Sequence, residues 1–140
     1  MKKQVLALVG MLSLFLAASS AFAQTDHEVR ANIPFDFVVG KTTLPSGNYQ
    51  IVRLGMNSEN VSIRCAQAST ATIAYAGPQE IRQPSDRTKL VFRRYGDRYF
   101  LSQIWVEGST RMRTLPKSNL EKEVALDWTP NNVVLYASAR

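Results

Sequence analysis

Basic and aromatic side chains are concentrated between positions 82 and 113 of this 140-residue chain. Guanidinium groups bind carboxylates and phosphates, and neighbouring aromatic rings add flat apolar surface. The residues that this pattern assigns to an anionic-ligand patch are Arg93, Arg94, Arg98, Tyr95, Arg111 and Arg113. The alternative is that these arginines cover the outer face of a sheet and pair with Asp86, Asp97 and Glu107. Mixed charges on a solvated face are the commoner case, and exposed pairs contribute only about 0–1 kcal/mol each.

Residue types that catalytic and metal sites need are scarce in the sequence. The single histidine, His27, and the single cysteine, Cys65, lie 38 positions apart and provide neither a nucleophile–base pair nor a zinc ligand set. There is no EF-hand spacing, phosphate loop or dinucleotide fingerprint. We therefore expect a protein that is not an enzyme and that has no metal or cofactor. A small hydrolase that uses carboxylates such as Asp36, Asp97 and Glu107 stays open as an alternative.

The first 23 residues have the pattern of a secretory signal peptide. Lys2 and Lys3 precede an apolar run over residues 5–18, and residues 21–23 (Ala-Phe-Ala) form a small-x-small cleavage site. The apolar run is shorter than the roughly 20 residues that a membrane span needs. The sequence therefore predicts export to the periplasm or beyond the cell, with no transmembrane span after cleavage.

Length and composition predict a single β-rich domain over residues 24–140. The chain is 45% hydrophobic, which is too apolar for a disordered protein, and it is too short for a two-domain enzyme. A domain of this size buries roughly 65% of its unfolded surface, which is enough for its own core. The formal net charge of +6 favours an anionic partner.

Alternation of apolar and polar residues with a period of two dominates the predicted domain and indicates strands. The expected strands cover residues 33–39, 48–54, 61–66, 70–76, 89–95 and 98–106, with a last strand or a tail at 133–137. Turn-forming residues 45–47 and 77–78 separate them, and 79–87 is expected to be a loop. The predicted fold class is all-β, a mainly antiparallel sandwich or small barrel of about six to seven strands with one short C-terminal helix. In this pattern Cys65 is a small buried core residue.

The clearest hairpin has a two-residue turn at Gly96 and Asp97, which suits a primed turn. This turn pairs Tyr95 with Arg98, Arg93 with Phe100, and Phe92 with Leu101. The face expected to join the core carries Leu90, Phe92, Tyr99, Leu101 and Trp105. The other face is mixed and is expected to be partly covered or to meet a partner; it carries Lys89, Val91, Arg93, Tyr95, Arg98, Phe100 and Ile104.

One helix is predicted near the C-terminus. Ser118 and Glu121 have the spacing of a capping box, in which the hydroxyl caps the helix and the carboxylate reaches back. Leu120, Val124 and Trp128 form an apolar stripe that can dock on the sheet, and Pro130 ends the helix.

Two segments resemble a group of uncharacterised small exported proteins of acidobacterial type. Residues 33–40 (IPFDFVVG) followed by 44–49 (LPSGNY) are similar to the IPFDF-type strand and LPxGxY turn of that group. Residues 89–102 (KLVFRRYGDRYFLS) are similar to its most characteristic block. The resemblance implies an exported single-domain β protein and carries no catalytic residue.

The sequence thus favours a non-enzymatic exported domain that binds or interacts at the cell envelope. The expected partner is an anionic envelope polymer or another exported protein, and export argues against nucleic acid as the physiological partner. The main alternative is a lipocalin-like carrier with an apolar ligand in a cavity lined by residues such as Phe35, Ile51, Phe92 and Trp105. A subunit that self-associates through the mixed hairpin face is a further alternative.

Overall fold

A computed structural model describes residues 28–140, so the predicted signal peptide and His27 lie outside the described residues. The described chain forms twelve short strands and one helix. In chain order these are β1 (Val29–Ile33), β2 (Phe37–Val39), β3 (Thr42–Leu44), β4 (Gly47–Arg53), β5 (Asn60–Cys65), β6 (Ala71–Tyr75), β7 (Gly77–Glu80), β8 (Lys89–Tyr95), β9 (Arg98–Trp105), β10 (Arg111–Thr114), α1 (Asn119–Asp127), β11 (Asn131–Tyr136) and β12 (Ser138–Ala139).

The strands build two sheets, which confirms the all-β class with one short C-terminal helix. The first sheet has the order β12-β1-β4-β5-β6, and the second has the order β11-β8-β9-β10-β7 with β2 and β3 attached beside β9. Every strand pair is antiparallel except β2 with β9. Across the described residues the sheets form a sandwich-like arrangement and do not close into a barrel. No helix among these residues is long and apolar enough to cross a bilayer.

The chain passes from one sheet to the other at both sides of the sandwich. β6 leads into β7 through the fully buried Ala76, whose amide donates to Glu59 O at 2.7 Å. β11 leads into β12 through Ala137, whose amide donates to Thr88 O at 3.0 Å. Strands that switch sheets in this way form the corners of a sandwich and hold its two layers together.

The hydrophobic core lies between the sheets and draws on the inner faces of both. Aromatic residues occupy its centre: the Phe37 ring meets Tyr49 edge to face at 5.0 Å and Phe92 at 5.6 Å. Cys65 belongs to this core, as predicted from its place in the alternating pattern of β5.

The predicted strand 33–39 is wrong in extent, because it divides into two strands that belong to different sheets. β1 ends at Ile33 in the first sheet, and β2 begins at Phe37 beside β9 in the second. Pro34 has no amide hydrogen and cannot continue a ladder, so the chain turns away there. Between the two strands, Phe35 stacks on Tyr99 with ring centroids 3.8 Å apart.

Several very short strands account for the excess over the six or seven predicted. β3 and β12 have three and two residues, and β10 has four, which is too short for a clear alternation. β7 lies in a segment that was expected to be a turn and a loop. It contains Pro78, which an edge strand tolerates because one side of its ladder is unpaired.

The β8–β9 hairpin has the predicted pairs at its turn, Tyr95 with Arg98, Arg93 with Phe100 and Phe92 with Leu101. Gly96 has a φ of +61°, as the first position of a type II′ turn requires.

Farther from the turn, the predicted assignment of residues to the two hairpin faces is wrong. Phe92 pairs with Leu101 but Val91 pairs with Gln103, so Ser102 is an extra residue, a β-bulge. The bulge reverses the faces beyond it. Ile104 consequently lies in the core, and Trp105 lies on the outer face, where Lys89 Nζ is 4.7 Å from its ring.

Helix α1 packs on the outer face of the second sheet. Ser118 caps it by accepting the Glu121 amide at 3.2 Å. Leu120 and Val124 contact the cluster of Val38, Tyr95 and Phe100, as the predicted stripe requires. The third stripe residue, Trp128, follows the helix and stays 58% exposed beside Gly96, so its predicted docking on the sheet is wrong.

Candidate functional site

The structure separates the six residues of the predicted anionic-ligand patch into three places. Arg93 and Tyr95 lie beneath α1, where Glu121 is almost completely buried. Arg93 donates to Glu121 through Nε, and its Nη2 donates to Oε2 at 3.0 Å. The Tyr95 hydroxyl donates to Oε1 at 3.0 Å, and burial and then Glu121 raise the pKa of this phenol. Both patch residues are therefore engaged inside the protein. The Glu121 carboxylate turns into the sheet instead of completing the predicted capping box.

Arg94 and Arg98 lie at the tip of the β8–β9 hairpin and are exposed. Arg94 Nε donates to Gly96 O at 2.6 Å, and its guanidinium lies 5.5 Å from the Tyr99 ring centroid. These contacts hold Arg94 against the turn. Salt screens the interactions of exposed charges, so binding at this tip alone would be weak.

Arg113 and Arg111 lie on the inner face of the second sheet. Arg113 is paired directly with Ile104 across β9 and β10, and residues that are paired in this way share one face of a sheet. Ile104 is part of the core, so Arg113 points toward the first sheet. Arg111 is two residues earlier in the same strand and therefore lies on the same face.

A third arginine meets them from the first sheet. Arg53 follows Ile51 by two residues in β4 and is paired with Val61, which is a buried core residue. Arg53 therefore also lies on an inner face. Arg53 was not predicted from the sequence, although a cation at an apolar position of an otherwise alternating strand is visible there.

Between these arginines the two sheets leave an open cleft of about 500 Å³. We call it the arginine cleft. Apolar side chains of both sheets form its floor: Val29, Ile51, Val61, Ile104 and Val106. Its rim carries Arg53, Arg111 and Arg113 together with the loop residues Met56, Asn57, Ser58 and Glu59. A guanidinium group is costly to bury away from water, so arginines on inner faces favour an open cleft over a closed apolar core.

Hydrogen bonds fix part of this rim. Arg113 Nη1 donates to Ala76 O at 2.8 Å, which ties it to the chain where β6 passes into β7. Arg111 Nη2 is 3.9 Å from Glu80 Oε1, and both side chains are largely exposed, so this pair is weak. Glu59 interacts with the Tyr75 hydroxyl and raises the pKa of that phenol. The arginines thus outnumber the single carboxylate of the cleft lining.

The cavity predicted for an apolar carrier is not formed by the four residues suggested for it. Ile51 lines the arginine cleft, but Phe92 is fully buried in the packed core and Phe35 stacks on Tyr99. Trp105 lies on the outer face because of the bulge at Ser102. An apolar surface does face the cleft, but other residues supply it.

Of the three carboxylates considered for hydrolysis, Asp36 has a structural role. Asp36 Oδ1 accepts the Ser46 amide at 2.9 Å, so it orders the turn before β4. Asp97 forms part of the hairpin turn, and the Glu107 amide donates to Thr88 Oγ1 at 3.0 Å. Within residues 28–140, no three His, Cys, Asp or Glu side chains are grouped so that they could hold a metal ion.

Comparison of the chain with protein-family models, with curated proteins and with solved structures gives no match. A cationic rim over an apolar floor is suited to a ligand that has both an acidic head and a hydrocarbon chain.

Proposed function

We propose that this is an exported binding protein, without a catalytic role, that holds an anionic amphiphile in the arginine cleft. The observation that carries the proposal is the placement of Arg53 and Arg113 on facing inner faces above an apolar floor. Such a ligand combines the anionic partner and the apolar cargo that the sequence suggested separately.

The size and chemistry of the arginine cleft suit a single acyl chain. Its volume of about 500 Å³ lies in the range of small-molecule sites, roughly 300–1,000 Å³. Each methylene transferred from water to the apolar floor contributes about 0.8 kcal/mol. A carboxylate or phosphate at the rim gains charge-assisted hydrogen bonds from guanidinium groups, which are stronger than neutral ones.

The proposal is tested by calorimetric titration with four ten-carbon amphiphiles that differ only in the head group. We expect decanoate and decyl phosphate to bind, decanol to bind at least tenfold more weakly, and decylammonium not to bind. Binding of decanoate should weaken as salt is raised, because part of it is electrostatic. Equal affinity for decylammonium and decanoate would contradict the proposal.

Arg111→Glu is the variant of choice for the same titration. Arg111 is exposed and weakly paired, so its replacement spares the fold, whereas Arg113 is tied to Ala76 O. The matched control is Arg98→Glu, which makes the same charge change at the hairpin tip. We expect the first variant to lose at least tenfold in decanoate affinity and the control to keep its affinity. Equal losses in both would show that only the net charge matters.

Export is the second part of the proposal and rests on the sequence pattern of residues 1–23. It is tested by the intact mass of the protein recovered from the periplasm or the medium of its producing cell. The expected mass is that of residues 24–140. A full-length chain retained in the cytoplasm would contradict export.

A further inference from the structure

A second cleft, of about 400 Å³, runs beside strand β6 and is separate from the arginine cleft. We call it the β6 cleft. Consecutive residues 72–75 form one wall, residues 38–42 of the β2–β3 hairpin form another, and residues 115–118 before α1 close it. Consecutive residues of a strand line a cleft together when the edge of the strand, and not one of its faces, forms the wall.

The hydrogen-bond pattern shows which backbone groups of β6 face the β6 cleft. Cys65 donates to Thr70 O at 2.9 Å and Ala76 donates to Glu59 O at 2.7 Å, one at each end of the β5–β6 pair. Hydrogen-bonded pairs alternate in an antiparallel ladder. Thr72 and Ala74 therefore direct their amides and carbonyls to β5. The backbone groups of Ala71, Ile73 and Tyr75 point to the opposite side, at the edge of the first sheet.

β6 lacks the features that commonly protect an edge strand. Its sequence, Ala-Thr-Ile-Ala-Tyr, has no charge, no proline and no bulge. Ile73 is 66% exposed and Tyr75 is 51% exposed, both on the outer face. An unprotected, uncharged edge with exposed apolar side chains is a template for an added strand.

The charges around the β6 cleft indicate what kind of strand would be added. Lys41 and Lys117 are exposed and line the cleft. The one acidic residue of the lining, Glu121, is already bound by Arg93 and Tyr95. The cleft therefore presents two cations to whatever lies along β6, which favours a segment with carboxylates.

We propose that β6 is a docking edge for an extended acidic peptide segment of another protein, which adds to the first sheet as its sixth strand. The added backbone pairs with Ile73 and its neighbours at the edge, and acidic side chains of the peptide approach Lys41 and Lys117. This mode of recognition takes its affinity from main-chain hydrogen bonds and its selectivity from side chains. The proposal does not depend on the function of the arginine cleft.

The test uses a synthetic ten-residue peptide of alternating glutamate and valine, with a lysine–valine peptide as its charge-reversed counterpart. Affinity for the full domain is measured by titration, and amide hydrogen exchange is measured residue by residue. We expect the acidic peptide to bind at least tenfold more tightly than the basic one. We also expect it to slow exchange at Ile73 and Tyr75. Tighter binding of the basic peptide, or protection elsewhere with none on β6, would overturn the proposal.

Ile73→Pro is the variant that separates the edge from the rest of the sheet. It removes an amide that faces the β6 cleft and not one that pairs with β5, so the fold should persist. The control Ile73→Thr changes the side chain and keeps the amide. We expect the proline variant to lose at least tenfold in affinity for the acidic peptide and the threonine variant to lose less than threefold. Equal affinity of the two variants would overturn the proposal.

Two further arms keep the test decisive. If Ile73→Pro does not fold, two methylated forms of the acidic peptide are compared, one with methyl groups on the odd-numbered backbone nitrogens and one with methyl groups on the even-numbered ones. Strand addition predicts that one form does not bind and that the other binds normally. Equal effects of the two forms would contradict strand addition. A third result is that the free protein binds no peptide but forms a dimer, and that Ile73→Pro abolishes this dimer. The occupant of the edge would then be a second copy of the chain, which would overturn the proposal.

Discussion

Arg113 lies directly opposite Ile104 in the β9–β10 pair, so a guanidinium group shares the inner face of the sheet with a core residue that is 3% exposed. Inner faces of a sandwich are normally apolar because they pack against each other. Here Arg113 occupies an inner-face position beside the apolar residues Ile104 and Val106. The arginine cleft is therefore a consequence of which residue types occupy the ends of β4 and β10.

The arginines of the cleft should contribute to binding at the expense of stability. Arg111→Leu replaces a cation on an inner face by a shorter, apolar side chain. We expect the free energy of unfolding to stay within about 0.5 kcal/mol or to rise, as is common when a binding residue is replaced. Decanoate affinity should fall at least tenfold. Urea unfolding and titration of the same preparation check both. A loss of more than about 1 kcal/mol would make Arg111 a structural residue.

Removing one partner of the Arg93–Glu121 ion pair beneath α1 should destabilise the protein strongly, whereas removing both partners should not. Glu121→Ala leaves Arg93 without its carboxylate in a site where the Arg93 side chain is 15% exposed. Removing one partner of a buried pair costs about 3–5 kcal/mol. The double variant Arg93→Met with Glu121→Leu removes both charges and should recover most of that loss. Chemical denaturation of the three proteins measures this. A double variant as unstable as Glu121→Ala would contradict the interpretation.

The bulge at Ser102 makes a prediction about two adjacent residues. Ile104 lies in the core and Trp105 on the outer face, so Ile104→Ala should cost about 2 kcal/mol or more. Trp105→Ala removes a partly exposed ring, its hydrogen bond to Gln103 Oε1 and its contact with Lys89, which at a solvated site is worth about 0.5–1 kcal/mol, so we expect the smaller loss here. Thermal or chemical unfolding compares the two variants. A larger loss of unfolding free energy for Trp105→Ala would mean that Trp105, and not Ile104, lies in the core, as simple alternation along the sequence predicts.

This pair of residues also shows what the sequence could and could not predict about the fold. The period of two identified the longer strands, and Gly96 located the hairpin turn together with its nearest pairs. The extra residue at Ser102 leaves no mark in the pattern of apolar residues, so everything beyond it was assigned to the opposite face. The break at Pro34 was not predicted, because the transfer of the chain to the other sheet depends on contacts with distant strands.

The candidate site was predictable only in part, for a similar reason. Arg111 and Arg113 were singled out by their basic character, but the alternation within β10 alone does not say which face is inner. That face is defined by the pairing of Arg113 with Ile104. Arg53 is far from both in sequence, and only the packing of the two sheets brings it to the same cleft.

Alkaline pH should destabilise the protein through Tyr49. Burial, followed by the nearby Cys65, raises the pKa of Tyr49 to about 12. In the unfolded chain this pKa is about 10, so the unfolded state ionises first as the pH rises. The stabilising contribution is complete below pH 10 and is lost between pH 10 and about 12.

The variant Tyr49→Phe isolates this effect. The difference in the free energy of unfolding between the wild type and Tyr49→Phe should shrink as the pH is raised from 9 to 11. Urea unfolding at each pH measures it. Tyr49 also donates to Pro45 O, and the loss of this bond gives an offset that is already present at pH 9. A difference that stays constant across this range would contradict the assignment.

A decanoate titration followed through the isoleucine methyl groups by NMR shows directly whether an anionic amphiphile lies between the sheets, in the arginine cleft. We expect the methyl signals of Ile51 and Ile104 to shift and saturate, while those of Ile33 and Ile63 in the closed core stay in place. Ile73 should not move, because it lies at the β6 cleft. Saturating shifts at Ile73 alone, or none at Ile51 and Ile104, would contradict binding in the arginine cleft.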